Sequence, residues 1–388
     1  MTRELLDRLE EPSRLLQILI GPRQVGKTTA IEQATQRLRR KGFAAVSANA
    51  DALASPPKEW IAERWAEANA LAKTGKPTLL TFDELQKIPG WSEIVKKEFD
   101  ANQRLRPGLR PHVVVSGSSA LMMERGLTES LAGRFELIRF PHWSFGEQAS
   151  AFKLSLGGYV AMGGYPRLRE FTGNAERFRG YVRDSIVESV LSKDILLLNP
   201  VEKPVLLRRL FEFACYHPAE IVSLQKMLGQ LTDKGNVTTI AHYLDLLAKA
   251  FLVVPLQKYS PEILRVKASS PKLIVMAQAL LAAIQGKTIE DLAKDRALYG
   301  RWAENAVGAH LIRSGFELFY WRERDLEINF IARRQDLLLA IEVGVSDRKS
   351  PAPLIHLAKK AGIDKTLLIG PGGIEIGHFL SEDPSSWI

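Results

Sequence analysis

Gly21, Gly26, Lys27 and Thr28 stand in "GPRQVGKTT" at the spacing of a phosphate loop, a pattern suited to holding a polyphosphate. Such a ligand needs close approach of the backbone, several N–H donors and a neutralising cation. The two glycines permit the approach, and Gln24 and Val25 between them offer amides. The Lys27 ammonium can reach β- and γ-phosphates, and the helix opening near Lys27, Thr28 and Thr29 points its positive dipole end at the anion. Gly21, Gln24, Val25, Gly26, Lys27, Thr28 and Thr29 are therefore expected to bind ATP, with the Thr28 hydroxyl as a ligand of magnesium.

The second half of such a site is an apolar strand ending in a carboxylate, and "PTLLTFDELQK" supplies it. Asp83 is placed to hold Mg2+ through water together with Thr28, and Glu84 beside it can deprotonate the attacking water as general base. Paired acids at this point favour hydrolysis over kinase chemistry. In "VVVSGSSALM", Ser116, Ser118 and Ser119 follow another apolar run, and Ser118 is expected to touch the γ-phosphate or the water. Capping of a helix that begins at Ala120 is an equal role for these serines. Arg134 in "LTESLAGRF" is expected to stabilise charge on the transferred phosphoryl group, with a surface salt bridge as the alternative.

These residues need a scaffold that brings strand ends together. From Leu15 to Phe140, short apolar runs alternate with amphipathic stretches, the pattern of a parallel sheet wrapped by helices. Strands are expected at Leu15 to Ile20, Ala44 to Asn49, Thr78 to Phe82, Val113 to Ser116 and Glu136 to Phe140. Before the fourth lies a basic loop, "NQRLRPGLRPH", with Arg104, Arg106 and Arg110. Between Trp143 and Asn199 the pattern is helical, broken by "LGGYVAMGGYPRL", and reads as a lid. Arg167 in that stretch either reaches nucleotide or is an ordinary surface arginine. Two short amphipathic helices follow, in the second of which Ile240, Tyr243, Leu244 and Leu247 share a face. Two strand-like halves around a Ser-Pro turn come next, and helix, turn, helix and hairpin together make a winged helix. The remainder is a further α/β unit.

The 388 residues are enough for several cores, with 46% hydrophobic and 25% charged residues. A formal charge of +9 favours polyanionic partners such as DNA. Cys215 is the only cysteine, which excludes an intrachain disulfide and a cysteine-based zinc site. No apolar run approaches a membrane span and the first residues lack a signal-peptide centre, so a cytoplasmic protein without a membrane partner is expected.

With "GPRQVGKTT", "LLTFDELQKIPGW", "VSGSSALMMERGLTESLAGRFELI", "GGYP" and "EINF…IEV" in this order, nearly the whole chain resembles the bacterial and archaeal AAA+ ATPases that carry a C-terminal restriction-endonuclease-like domain of unknown function. The resemblance implies an α/β fold: a P-loop AAA+ core with a parallel five-stranded sheet (1–142), a helical lid (143–200), a winged helix (201–276) and a small nuclease-like α/β domain (277–388). It also implies that Arg134 serves a neighbouring subunit in a homo-oligomeric ring, a hexamer being favoured. Where relatives read approximately Glu-Val-Asp-Phe and Ile-Glu-Val-Lys, this chain has Asn329 and Gly344 in place of the acid and the lysine. Glu304, Glu327 and Glu342 remain, but nuclease activity is not expected. The expected function is a DNA-dependent ATPase motor acting on duplex or branched DNA without sequence preference, through Lys226, Lys234, Lys258, Arg265, Lys267 and Lys272. An ATP-gated switch or scaffold binding a protein partner is the alternative.

Overall fold

Leu16 to Ile20 are buried on both faces of the strand, as a central strand of a parallel sheet must be. The structure, a computed structural model, describes residues 2–52, 57, 59–117, 130–171, 173–196, 201–231, 236–260, 269–324, 326–345, 354–355, 358–359, 362–363 and 365–387. The described residues form two units, Met1–Pro141 and His142–Ile388.

The first unit runs α1 (Thr2–Glu10), β1 (Leu16–Ile20), α2 (Lys27–Arg40), β2 (Ala44–Asn49), α3 (Glu59–Lys73), β3 (Thr78–Asp83), α4 (Trp91–Asn102), β4 (His112–Gly117) and β5 (Phe135–Arg139). All pairings are parallel and the order is β2-β3-β4-β1-β5. The five-stranded parallel sheet read from the sequence is thus present. Inserting β4 between β1 and β3 has a chemical consequence: Asp83 lies beside Ser116, and both strands end next to the loop that leaves β1. Ile18, Leu80, Phe82 and Val115 from the sheet pack with Trp65 of α3 and Val95 of α4 in one core. Arg37, Arg39 and Arg40 occupy the last turn of α2, where cations complement the helix dipole.

The second unit opens with α5 (Phe145–Phe152), started by a capping box between Ser144 and Glu147. Next come α6 (Leu156–Met162), α7 (Ala175–Gly180) and two π-helical stretches, Tyr181–Val187 and Val190–Leu196. Then follow α8 (Pro204–Tyr216), α9 (Leu224–Gln230), α10 (Val237–Lys249), β6 (Val253–Lys258) and β7 (Lys272–Val275). The chain ends with α11 (Gln278–Gln285), α12 (Ile289–Lys294), α13 (Arg296–Arg313), β8 (Glu317–Glu323), β9 (Leu326–Arg334), β10 (Leu337–Val343), β11 (Lys365–Ile369) and α14 (Ile376–Ser381). Hairpin β6–β7 does not stand apart. Gln257 and Lys258 pair in parallel with Phe319 and Tyr320, giving a six-stranded sheet of order β11-β10-β9-β8-β6-β7.

Buried amides tie the same segments together. Gln278 donates to Val160 O and Trp302 O, and Asn305 bridges Val275 and Gln278. The "GGYP" turn is part of this framework: Gln148 brackets Gly164 N and Tyr165 O, and Tyr165 is buried against His142. These three amides find partners, which offsets the cost of removing them from water. No helix among the described residues is long and apolar enough to cross a membrane.

A candidate nucleotide-binding and hydrolysis site

The loop after β1 turns through two residues in left-handed backbone, Gln24 (φ 61°) and Gly26 (φ 94°). Gly21 is required for a different reason. A Cβ there would fall 1.9 Å from the carbonyl oxygen of Phe140, which follows β5. Lys27 is buried, and its ammonium donates to Gly21 O (2.9 Å) and Pro22 O (2.7 Å), the loop's own carbonyls. A polyphosphate would compete for those protons with a full negative charge, the stronger acceptor. Val25 is fully buried beneath the loop, whereas Gln24, Thr28 and Thr29 face outward.

Two hydroxyls meet on one carboxylate. Thr28 Oγ1 donates to Asp83 Oδ2 at 2.8 Å, and Ser116 Oγ donates to Asp83 Oδ1 at 2.5 Å. Thr28 and Asp83 are the pair expected to hold magnesium, and a cleft of about 230 Å³, lined in part by Thr28, Glu32, Gln36, Asn49 and Asp83, adjoins them. Mg2+ binds hard oxygen ligands and keeps several waters, so a hydroxyl, a carboxylate and free space beside them suit it.

Glu84 follows Asp83 in left-handed backbone (φ 56°), a conformation costing a non-glycine residue about 1–3 kcal/mol. Its N–H donates to Ser116 O (3.0 Å) and Asp83 Oδ1 (3.1 Å), which fixes the turn. Its carboxylate accepts from Gln86 Nε2 at 2.6 Å, and Gln86 is itself buried.

Other residues singled out in the sequence fall elsewhere. Ser118 lies outside the described residues, as do Ser119, Lys234, Arg265 and Lys267; among the described residues Ser116 is a serine that donates to the acid. Arg134 precedes β5 at the end remote from the phosphate loop: Leu16 N donates to its carbonyl, while Ile20, the last residue before the loop, pairs with Arg139. At about 3.3 Å per residue this puts Arg134 roughly 17 Å along the strand from its own loop. Its guanidinium is held by Asp100 through two hydrogen bonds of 2.7 and 3.0 Å. Hydrogen bonding to Arg134 holds the Asp100 carboxyl below its ordinary value, with Lys96 and Arg104 adding to the effect, and raises Arg134 in return.

In the basic loop before β4, Arg110 is not a free cation. Its side chain is fastened to Gln103 and to Leu105 O, leaving Arg104 and Arg106 as the loop's exposed cations. Arg167 pairs with Glu170 at 3.5 Å within the second unit. Lys272, read from the sequence as a DNA contact, is completely buried and cannot be one.

A family model described as an AAA domain matches residues 13–149. A second, a domain of unknown function (DUF8612), matches residues 154–291. An uncharacterized protein of Haemophilus influenzae is 24% identical over 345 residues, covering 84% of this chain and 82% of that protein. Among solved structures, the Walker-type ATPase of Pyrococcus abyssi overlaps 73% of this chain and 94% of its own, at 14% identity and a TM-score of 0.45. AMPPCP-bound DnaA from Aquifex aeolicus overlaps 64% of this chain and 86% of its own, at 16% identity and a TM-score of 0.33. The N-terminal unit is an AAA-type P-loop ATPase domain, which binds ATP and hydrolyses it.

Proposed function

We propose that the chain hydrolyses magnesium-ATP at interfaces between copies of itself, arranged as a ring, and couples turnover to duplex or branched DNA. The observation carrying the shared interface is the position of Arg134. Arg134 enters its strand roughly 17 Å from its own phosphate loop, a placement that suits service to another copy's nucleotide better than to its own. Rings require such a head-to-tail contact, in which the acceptor and donor surfaces of one subunit differ.

Within each site the geometry supports the following roles. The loop amides and Lys27 hold the β- and γ-phosphates, and Thr28 with Asp83 holds magnesium, which when bound neutralises charge on those phosphates. Glu84, oriented by Gln86, takes the proton of the attacking water. Ser116 fixes the Asp83 carboxylate and lies beside it on β4. Arg134 of the neighbouring copy stabilises charge on the transferred group once it leaves Asp100.

DNA is supported by the net charge of +9 and by α8, α9, α10 and hairpin β6–β7, the element order of a winged helix. The outer face of α10 presents Thr238, His242, Asp245 and Lys249, with Lys249 paired to Asp245 at 3.0 Å. Such a face suits backbone contact better than base readout. Steady-state ATPase rates with duplex, single-stranded and branched DNA at two salt concentrations test the coupling. Stimulation that weakens with salt supports it. Turnover indifferent to every DNA contradicts it and favours a nucleotide-gated scaffold for a protein partner.

A further inference from the structure

Lys272, at the start of β7, carries a charge into the interior of the second unit. Its side chain is 0% exposed. The ammonium lies 2.5 Å from Glu304 Oε1 on α13 and 3.0 Å from Glu327 Oε1 on β9, and donates to the carbonyl oxygen of Asn329 at 3.3 Å. The ring of Phe330 is 5.1 Å away. An ammonium has three protons, and here three oxygens surround it.

A buried charge persists only when it is paired and hydrogen-bonded. Burial by itself pulls the Lys272 pKa down, but the charges and hydrogen bonds of Glu304 and Glu327 outweigh it and hold the group above its ordinary value. Lys272 is therefore an ammonium throughout the neutral range. The neighbouring polar groups are also engaged: Asn329 Oδ1 accepts from Val343 N at 2.8 Å, and Glu342 Oε2 accepts from Asn329 N at 3.3 Å.

Two carboxylates and a backbone carbonyl converging on one point are the donor types a hard divalent cation uses. We propose that Lys272 is the resident cation of this pocket: its ammonium stands where a divalent metal would sit among Glu304, Glu327 and the Asn329 carbonyl, and it excludes the metal. The pocket then joins β7, β9 and α13 by charge and has no place for metal-dependent phosphodiester cleavage. Independently of Lys272, no group of three or more His, Cys, Asp or Glu among the described residues could hold a metal ion. The inference does not depend on the ATPase reading, since every residue involved lies in the second unit.

Mn2+ binding to nucleotide-free protein, followed by the paramagnetic resonance of free Mn2+, tests this directly. The Asp83→Asn background removes the magnesium-binding acid of the first unit. In that background the pocket should take up no Mn2+ at millimolar concentration. Adding Lys272→Met, which keeps the apolar stem and removes the charge, should create one site per chain, lost again on Glu304→Gln. Uptake by the Lys272 protein that Glu304→Gln abolishes would overturn the proposal, as would a folded Lys272→Met protein that binds no Mn2+. Should Lys272→Met not fold alone, it should fold when Mn2+ is supplied during refolding or when Glu304→Gln and Glu327→Gln are added. Failure of both rescues would equally overturn it, because the ammonium would not then be acting as a replaceable cation.

Discussion

Asp83 receives two hydroxyl protons, from Thr28 and Ser116, and Glu84 receives one amide proton from Gln86. Adjacent acids thereby have different partners, which suits them to the different tasks proposed for them. Glu84→Gln keeps the shape but cannot accept the water's proton, so turnover should fall by about 100-fold or more with ATP still bound. Phosphate release compared with equilibrium nucleotide binding checks this, and unchanged release would remove Glu84 as base. Gln86→Ala should lower kcat about tenfold with little change in nucleotide Kd, because it frees the Glu84 carboxylate without touching the phosphates. A matching rise in Kd would instead mean that the loop had moved. Phosphate-loop residues were legible in the sequence because their spacing is local. The contact of Ser116 with Asp83 was not legible, since it depends on the β3–β4 register, which pairs the two; Ser118 lies outside the described residues. Gln86 sits in a short 3₁₀ turn with no pattern of its own.

At the scale of elements, packing decides which substitutions the fold tolerates. Gly21→Ala should destabilise the first unit by about 1–3 kcal/mol or displace the loop, because the new methyl meets Phe140 backbone. Thermal unfolding with and without ATP separates these effects. In the second unit, α13 places His310 under the C-terminal segment, its Nε2 2.9 Å from Glu382 O and its ring edge-on to Phe379. Burial, aided by Arg313, pulls its pKa down from 6.5 to about 3. The folded state thus resists a proton that the unfolded chain accepts, so stability is lost as pH falls below 6.5 toward 3. From pH 7 to 5 the loss should be about 2 kcal/mol. Urea unfolding at both pH values should show it, and His310→Gln should flatten it; an equal loss in the variant would contradict the assignment. Strands β1, β3 and β4 were legible because buried parallel strands are nearly continuous apolar runs, whereas β2 and β5 are half-exposed edge strands with a weaker pattern. The pairing of β6 with β8 was not, since it joins residues about 60 apart and nothing in either run names its partner.

For the whole molecule, chemistry is divided between an ATPase unit with a site at its strand ends and a second unit that buries an ion-paired lysine. Charge alone overstated the DNA surface: Lys272 counts toward the +9 yet is buried, and Arg110 is spent on its own loop. Composition cannot distinguish a solvated cation from a structural one, because the partners of Lys272 lie more than 30 residues away along the chain. The same distance hides the hold of Asp100 on Arg134. Arg134→Ala should lower turnover and leave nucleotide binding intact, since Arg134 stands at the end of its strand remote from its own phosphate loop.

The shared interface is tested most directly by mixing Arg134→Ala protein with Glu84→Gln protein, each nearly inactive alone, and measuring ATP turnover of the mixture. An equimolar random assembly places an intact Glu84 site against an intact Arg134 donor at about a quarter of its interfaces. Turnover should therefore recover to about that fraction of the unsubstituted protein's. A mixture no more active than its two components, under conditions where the copies exchange, would contradict an arginine supplied by the neighbouring copy.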